Sequence, residues 1–361
     1  MSTIAGNFAS DYQDARQKFC AAAAAGGGAF RSYRHPMLGP DGGRLFLDTA
    51  RFGDDDAPHM LVLQAATHGV EGFCGSGIMV NWLRSGGPAT LPKGTGALLI
   101  HGVNPYGFAW IRRVNEDNVD LNRNFVDHAK PYPPNDGYPE VADAVLPQSW
   151  DEQSLAEAQR VFEAYAKAHS ELDLAKALTQ GQYTHPDGIF FGGNKQTWSN
   201  RTVRSVIRTE LGRASRIGLL DVHTGIGPSG VGYLISTDSP TKPSYARLKA
   251  WYGEELTSTQ DGSSGSAEVT GTILDAFPQE APDAECSCVA LEYGTHPPIE
   301  VIEACRRDNW LHQRGDLNSP LGKEMKAYVR ERFYPADPKW AEMVWASAQE
   351  VIAMAVRGLN S

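Results

Sequence analysis

The chain has 361 residues, of which 41% are apolar and 21% charged, with 37 Gly and 22 Pro, a composition that allows a substantial globular core. No window approaches the ~18 uninterrupted apolar residues of a membrane helix, and the start carries Asp11 and Asp14 with no basic residue before Arg16, so no signal peptide is expected. A net charge of -10 argues against nucleic acid or an anionic membrane surface as partner.

Taken in chain order, Phe8, Tyr12 and Phe19 predict an amphipathic helix ending at Gly26-Gly27-Gly28. Short β segments follow at Phe30 to Tyr33 and Leu45 to Thr49, then a buried strand over 59–66. Gly72 to Trp82 reads as a helix and 97–101 as another buried strand. Residues 127–150, rich in Pro, Asp and Gly, read as a long surface loop. Helices are expected from Ser154 to His169 and from Thr197 to Leu211, a third buried strand over 217–222, and further strands at Val231 to Ile235 and Cys288 to Leu291. Ala341 to Val356 predicts a closing helix. Strands alternating with helices imply an α/β fold with a mixed or mostly parallel sheet.

Five cysteines (Cys20, Cys74, Cys286, Cys288 and Cys305) form an odd, sparse set, which predicts buried thiols and a reducing, cytoplasmic home.

Three of the apolar strands end in residues with chemistry. His68 and Glu71 follow the first, His223 follows Leu219-Leu220-Asp221-Val222, and Glu292 follows Val289-Ala290-Leu291. Ligands bind beyond the carboxyl ends of strands in open α/β sheets, so these distant residues can converge. His68, Glu71 and His223 make a His₂Glu set, a grouping that holds catalytic zinc with one position open to water. Glu292 is then left free as general base. Between the first and third strands, Arg112-Arg113-Val114-Asn115 and the following Asp120-Leu121-Asn122-Arg123 supply cations and an amide. A cation suits a developing oxyanion, and a planar guanidinium suits a terminal carboxylate.

The ordered motifs HxxE at 68–71, RxxxxxxDLNR at 113–123, DVH at 221–223 and LEYGT at 291–295 resemble the zinc carboxypeptidase superfamily. That superfamily holds the carboxypeptidase A-like enzymes and, more distantly, aspartoacylase and succinylglutamate desuccinylase; the nearest likeness is to a bacterial metallocarboxypeptidase-like branch. The resemblance implies one catalytic domain over 1–361, a twisted mixed sheet of about eight strands between helices, with a loop-and-helix elaboration at about 127–200. It implies one Zn²⁺ on His68, Glu71 and His223, with Asp120 orienting a ligating histidine and Glu292 as base and proton shuttle. Arg113 corresponds to the arginine that polarises the scissile carbonyl, with Arg112 its competitor. Asn122 and Arg123 correspond to the pair that binds the substrate carboxylate. The substrate-capping tyrosine of carboxypeptidase A-like enzymes has no matching motif; Tyr293, beside the base, is one candidate, and Tyr252 and Tyr233 are others.

The expected reaction is hydrolysis of an amide next to a free carboxylate, in a peptide or an N-acyl amino acid. The alternatives are a deacylase of the aspartoacylase type and a zinc protein that binds carboxylates without catalysis. His101 reads as structural, and Tyr183 and His185 as loop residues at least as readily as pocket residues. Oligomeric state is open.

Overall fold

The computed structural model describes residues 4–263 and 268–361. Its strands are β1 (Ala29–Leu38), β2 (Arg44–Phe52), β3 (His59–Ala65), β4 (Thr95–His101), β5 (Arg216–Ser229), β6 (Gly232–Ser236), β7 (Leu256–Ser258) and β8 (Glu285–Gly294). They form one eight-stranded sheet in the order β1-β2-β4-β3-β5-β8-β6-β7. The middle of the sheet, β4-β3-β5-β8, is parallel, whereas β1, β2 and β6 join it in antiparallel pairs. This is the mixed α/β sheet flanked by helices that the sequence predicts.

Parallel strands covered on both faces are apolar in near-continuous runs, and β3, β4 and β5 fit that pattern. Alternation then divides each run between two cores. Leu61, Leu63, Leu220, Val222, Val289 and Leu291 face the helices Gly72–Arg84 and Pro338–Leu359. Met60, Val62, Ile217 and Leu219 face the helix Trp198–Leu211 on the other side. The chain leaves β3 to one side, towards β4, and enters β5 on the other. That divergence opens a crevice at the carboxyl ends of β3 and β5.

Several helices depart from the sequence reading. Residues 127–150 contain the helix Tyr138–Val145, with Tyr138, Val141, Ala144 and Val145 buried. Eight residues with Pro139 in the first turn are too few for a helical period to stand out. The helices Pro298–Arg314 and Pro320–Phe333 also escape the pattern. The buried side of the first includes Asp308 and Asn309 beside Trp310 and Leu311, and polar residues in a core stripe hide its periodicity. Among the described residues no helix is long and apolar enough to cross a membrane, and the five cysteines are all free thiols.

Candidate metal centre

His68 and Glu71 lie in the tight connection from β3 to the helix Gly72–Arg84, and the backbone there has no room for a side chain. A Cβ on Gly69 would overlap the backbone of Gly107, so only glycine lets the two segments meet. Gly69 N and Val70 N donate to the carbonyls of Arg113 and Arg112, at 3.1 and 2.8 Å. The turn that delivers the first two candidate ligands is thereby tied to the arginine segment.

His223 and Glu292 come from adjacent parallel strands and are register partners. Asp221 and His223 extend the side of β5 that carries Ile217 and Leu219, and Glu292 lies on the same side of β8. The helix Trp198–Leu211 covers the lower part of that face, and the polar residues take over where the strands end.

His68, Glu71 and His223 meet, their ligand atoms all within 4.8 Å of one another. His68 Nδ1 is 3.0 Å from Glu71 Oε1, His223 Nδ1 is 2.8 Å from Glu71 Oε2, and the two Nδ1 atoms are 3.2 Å apart. The outer nitrogens are tied to carboxylates: His68 Nε2 to Asp120 Oδ1 at 3.0 Å and His223 Nε2 to Asp221 Oδ2 at 2.7 Å. A carboxylate on Nε2 favours a proton there, so that on giving up its Nδ1 proton to a cation each ring would present the Nδ1 lone pair inward. Two inward imidazole lone pairs and a carboxylate at this spacing are a donor set that fits a divalent cation such as Zn²⁺. The five groups are 5% exposed or less, and Gln64 Nε2 and Thr67 Oγ1 hold the remaining Asp221 oxygen at 3.0 and 2.8 Å.

The surrounding charges keep the two carboxylates at the donor set ionised. Burial raises the Glu71 carboxyl, but the His68 charge and bonds from both histidines carry it well below the usual range. Burial likewise opposes ionisation of Asp120, and Arg113 and His68 overcome it. Glu292 goes the other way. Desolvation, and then the neighbouring Glu71 charge, push it up to about 7. Its Oε1 accepts the Ile226 amide at 3.0 Å, and no side-chain bond ties it to the donor set.

Arg113 gives Nη1 to Glu71 Oε1 at 2.9 Å and Nε to Asp120 Oδ2 at 3.1 Å, which places its guanidinium beside the candidate donor set. Arg112 points away: its Nε is bound to Asp308 at 2.8 Å and its Nη2 to Asn118 at 2.9 Å, so it anchors the loop and does not enter the site. Asn122 lies beside His223, with Nδ2 3.4 Å from its Nε2, and its Oδ1 accepts Ile273 N. Arg123 is next to it but largely engaged, donating to the carbonyls of Gln180, Asn122 and Thr179 at 3.0, 3.0 and 2.6 Å. Two of its five N–H groups remain.

Tyr293 is corrected as a substrate-binding candidate. It follows Glu292 by one residue on a strand and therefore leaves the opposite face, where it is fully buried beneath the helix Pro338–Leu359. Tyr252 is buried in the same core. Tyr233 is the antiparallel register partner of Glu292, shares its face, and is half-buried.

Asp221 is the functional candidate that sequence reasoning left without a role. Its signal was legible in Asp221-Val222-His223, since residues two apart on a strand share a face. The 180–193 segment reads as a loop in the sequence, but its contacts with the 120–124 segment do not. Tyr183 donates to the Arg123 carbonyl at 2.6 Å, Asn124 Nδ2 to the Gly192 carbonyl at 2.9 Å, and Asp120 N to the Phe191 carbonyl at 2.8 Å. His101 is structural, with Nε2 2.9 Å from Ser76 Oγ and its ring stacked on Phe19.

Among solved structures, the chain is similar to carboxypeptidase A from Helicoverpa armigera, at 13% identity over 91% of this chain and 74% of that one, with a TM-score of 0.45. It is similar to succinylglutamate desuccinylase from Chromobacterium violaceum, at 14% identity over 89% and 74%, TM-score 0.39. An aspartoacylase family protein from Mesorhizobium loti aligns at 14% identity over 79% and 66%, TM-score 0.39. No curated protein sequence matches the chain. The sequence match that spans most of the chain is to the family described as "Protein of unknown function (DUF2817)", over residues 8–347, and the chain belongs to that family.

Proposed function

We propose that this protein is a zinc-dependent hydrolase that cleaves an amide bond adjacent to a free carboxylate. The observation that carries the reading is the pairing of a closed His₂Glu donor set with a carboxylate outside that set, His223 and Glu292 being register partners. A protein that merely stored or sensed zinc would have no use for a buried carboxylate in that place, because holding one there costs free energy.

Zn²⁺ held by His68, Glu71 and His223 would lower the pKa of a water to about 7 and polarise a carbonyl. Glu292 takes a proton from the attacking water as its oxygen bonds the carbonyl carbon. It returns that proton to the amide nitrogen as the C–N bond breaks, so the products are a carboxylic acid and an amine. Arg113, between Glu71 and Asp120, places positive charge where the oxyanion develops. Asn122 and the two uncommitted N–H groups of Arg123 bind the substrate's free carboxylate.

A second reading, deacylation of N-acyl amino acids, is favoured by how closed the centre is. His68, Glu71, His223 and Glu292 are each no more than 8% exposed, which suits a small substrate better than a long peptide. Metal analysis of the purified protein, followed by a screen of peptides and N-acyl amino acids before and after chelation, tests both readings. Hydrolysis that disappears with the metal supports them, and the preferred panel separates them. Tight binding without turnover in either panel would leave only a carboxylate-binding zinc protein.

A further inference from the structure

Phe190 sits in the left-handed region of backbone space, at φ 51°, which residues with a Cβ rarely adopt. Its loop fixes it there. Gln182 N donates to the Phe190 carbonyl at 3.1 Å, Ile189 N to the Tyr138 hydroxyl at 2.9 Å, and Asp120 N to the Phe191 carbonyl at 2.8 Å. A disfavoured conformation persists where surrounding bonds over-determine it. The outcome is a buried ring beneath two guanidiniums, with Arg113 Cζ 5.1 Å and Arg123 Cζ 5.6 Å from its centroid.

A cation over an aromatic face is attracted by the ring quadrupole, more strongly where water is excluded. Two guanidiniums this near one another also repel. Burial, and then the Arg113 charge, hold Arg123 below its usual range, against the pull of Asp120. One shared ring offsets that repulsion and gives both arginines a common reference surface. Arg113 is otherwise held by Glu71 and Asp120, and Arg123 by the carbonyls of Thr179 and Gln180, and the Phe190 ring lies against both guanidiniums.

We propose that Phe190 is a positioning residue that sets the separation of Arg113 and Arg123, and with it the spacing the site accepts between a substrate's scissile carbonyl and its free carboxylate. The roles of the two arginines rest on the hydrolase reading above; the hold of the ring on them does not.

The test uses the full zinc-loaded chain with Phe190→Leu, Phe190→Met and Phe190→Tyr. Leu and Met keep an apolar side chain and remove the ring, so one serves if the other fails to fold. The Nε–Hε NMR signals of Arg113 and Arg123 report the ring current directly. Both should move in the Leu and Met variants and stay in place in the Tyr variant. In parallel, kcat/KM is compared for an N-acyl α-amino acid and its β-amino acid homologue, which has one more methylene before the carboxylate. The ratio should fall by about tenfold without the ring and return with Tyr. Arginine signals that do not move, or a ratio unchanged by loss of the ring, would overturn the proposal. If the wild-type chain hydrolyses neither substrate class, the hydrolase reading falls, and the Arg113–Arg123 separation in crystals of the wild-type and Phe190→Leu chains decides whether the ring positions them: an unchanged separation overturns the proposal.

Discussion

His223 on β5 and Glu292 on β8 are directly paired, and their side chains leave the same face of the sheet at its carboxyl edge. One residue is tied into the donor set through Glu71 at 2.8 Å, and the other accepts, among the described residues, a backbone amide. A neutral isostere at Glu292 should therefore separate metal binding from proton transfer. Glu292→Gln is expected to keep the metal content of the wild-type chain and to lower turnover by about 10²–10⁴-fold. Metal analysis and steady-state rates on the same preparation check this, and an unchanged rate would remove Glu292 from the mechanism.

Asp221 holds the outer nitrogen of His223 at 2.7 Å and is itself held by Gln64 and Thr67. Asp221→Asn removes the charge that fixes the ring's proton and orientation. Metal affinity should fall by about 10–100-fold. Competition against a chelator of known affinity measures it, and wild-type affinity in the variant would show that the ring orients itself without Asp221.

The donor set also links metal to stability. Glu71, Asp120, Asp221 and Glu292 are four carboxylates buried around one point, facing Arg113 and two histidines. A divalent ion that binds this folded arrangement and not the unfolded chain stabilises it by mass action. At a free concentration a hundredfold above its Kd the gain is about 2.7 kcal/mol. Thermal denaturation with and without chelator should show a metal-dependent rise in Tm, and the Asp221→Asn chain should need more metal to reach it.

Gly69 is a steric requirement between His68 and Glu71. The Cβ of Gly69→Ala would meet the Gly107 backbone, which cannot rotate away. We expect a loss of about 1–3 kcal/mol of stability, typical of overpacking, together with weaker metal binding because the turn carries two of the three candidate ligands. A variant as stable as wild type would mean that the 68–71 and 104–108 segments part easily.

One source of acid sensitivity lies away from the candidate metal centre. Burial, helped by the Arg112 and Lys326 charges and opposed by Asp308, lowers His312 from 6.5 to about 3. The neutral ring accepts Lys326 Nζ at 2.7 Å. A folded-state value below the unfolded one means that the stabilisation is complete above pH 6.5 and drains away as pH falls towards 3. His312→Gln should give a flatter dependence of Tm on pH across that window. Parallel curves for the two proteins would place the acid sensitivity elsewhere.

The sequence by itself determined the parts whose physics is local. Continuous apolar runs announce parallel strands buried on both faces, and the residue that ends such a strand emerges at the carboxyl edge, so His68, Glu71, His223 and Glu292 were legible as a group. Two-residue alternation even contained the partnership of Asp221 with His223 and the exclusion of Tyr293, once the buried face was known. Only the tertiary structure decided which face that was, because the sheet order places helices 72–84 and 338–359 on one side and 198–211 on the other. It also decided the fate of the two adjacent arginines, sending Arg112 to Asp308 and Arg113 to Glu71, partners nearly two hundred residues away in one case and about forty in the other. The 180–193 loop shows why such pairings leave no trace in the chain. Its bonds to Asp120, Arg123 and Asn124 each end on a backbone carbonyl, which every residue carries and no pattern of side chains records.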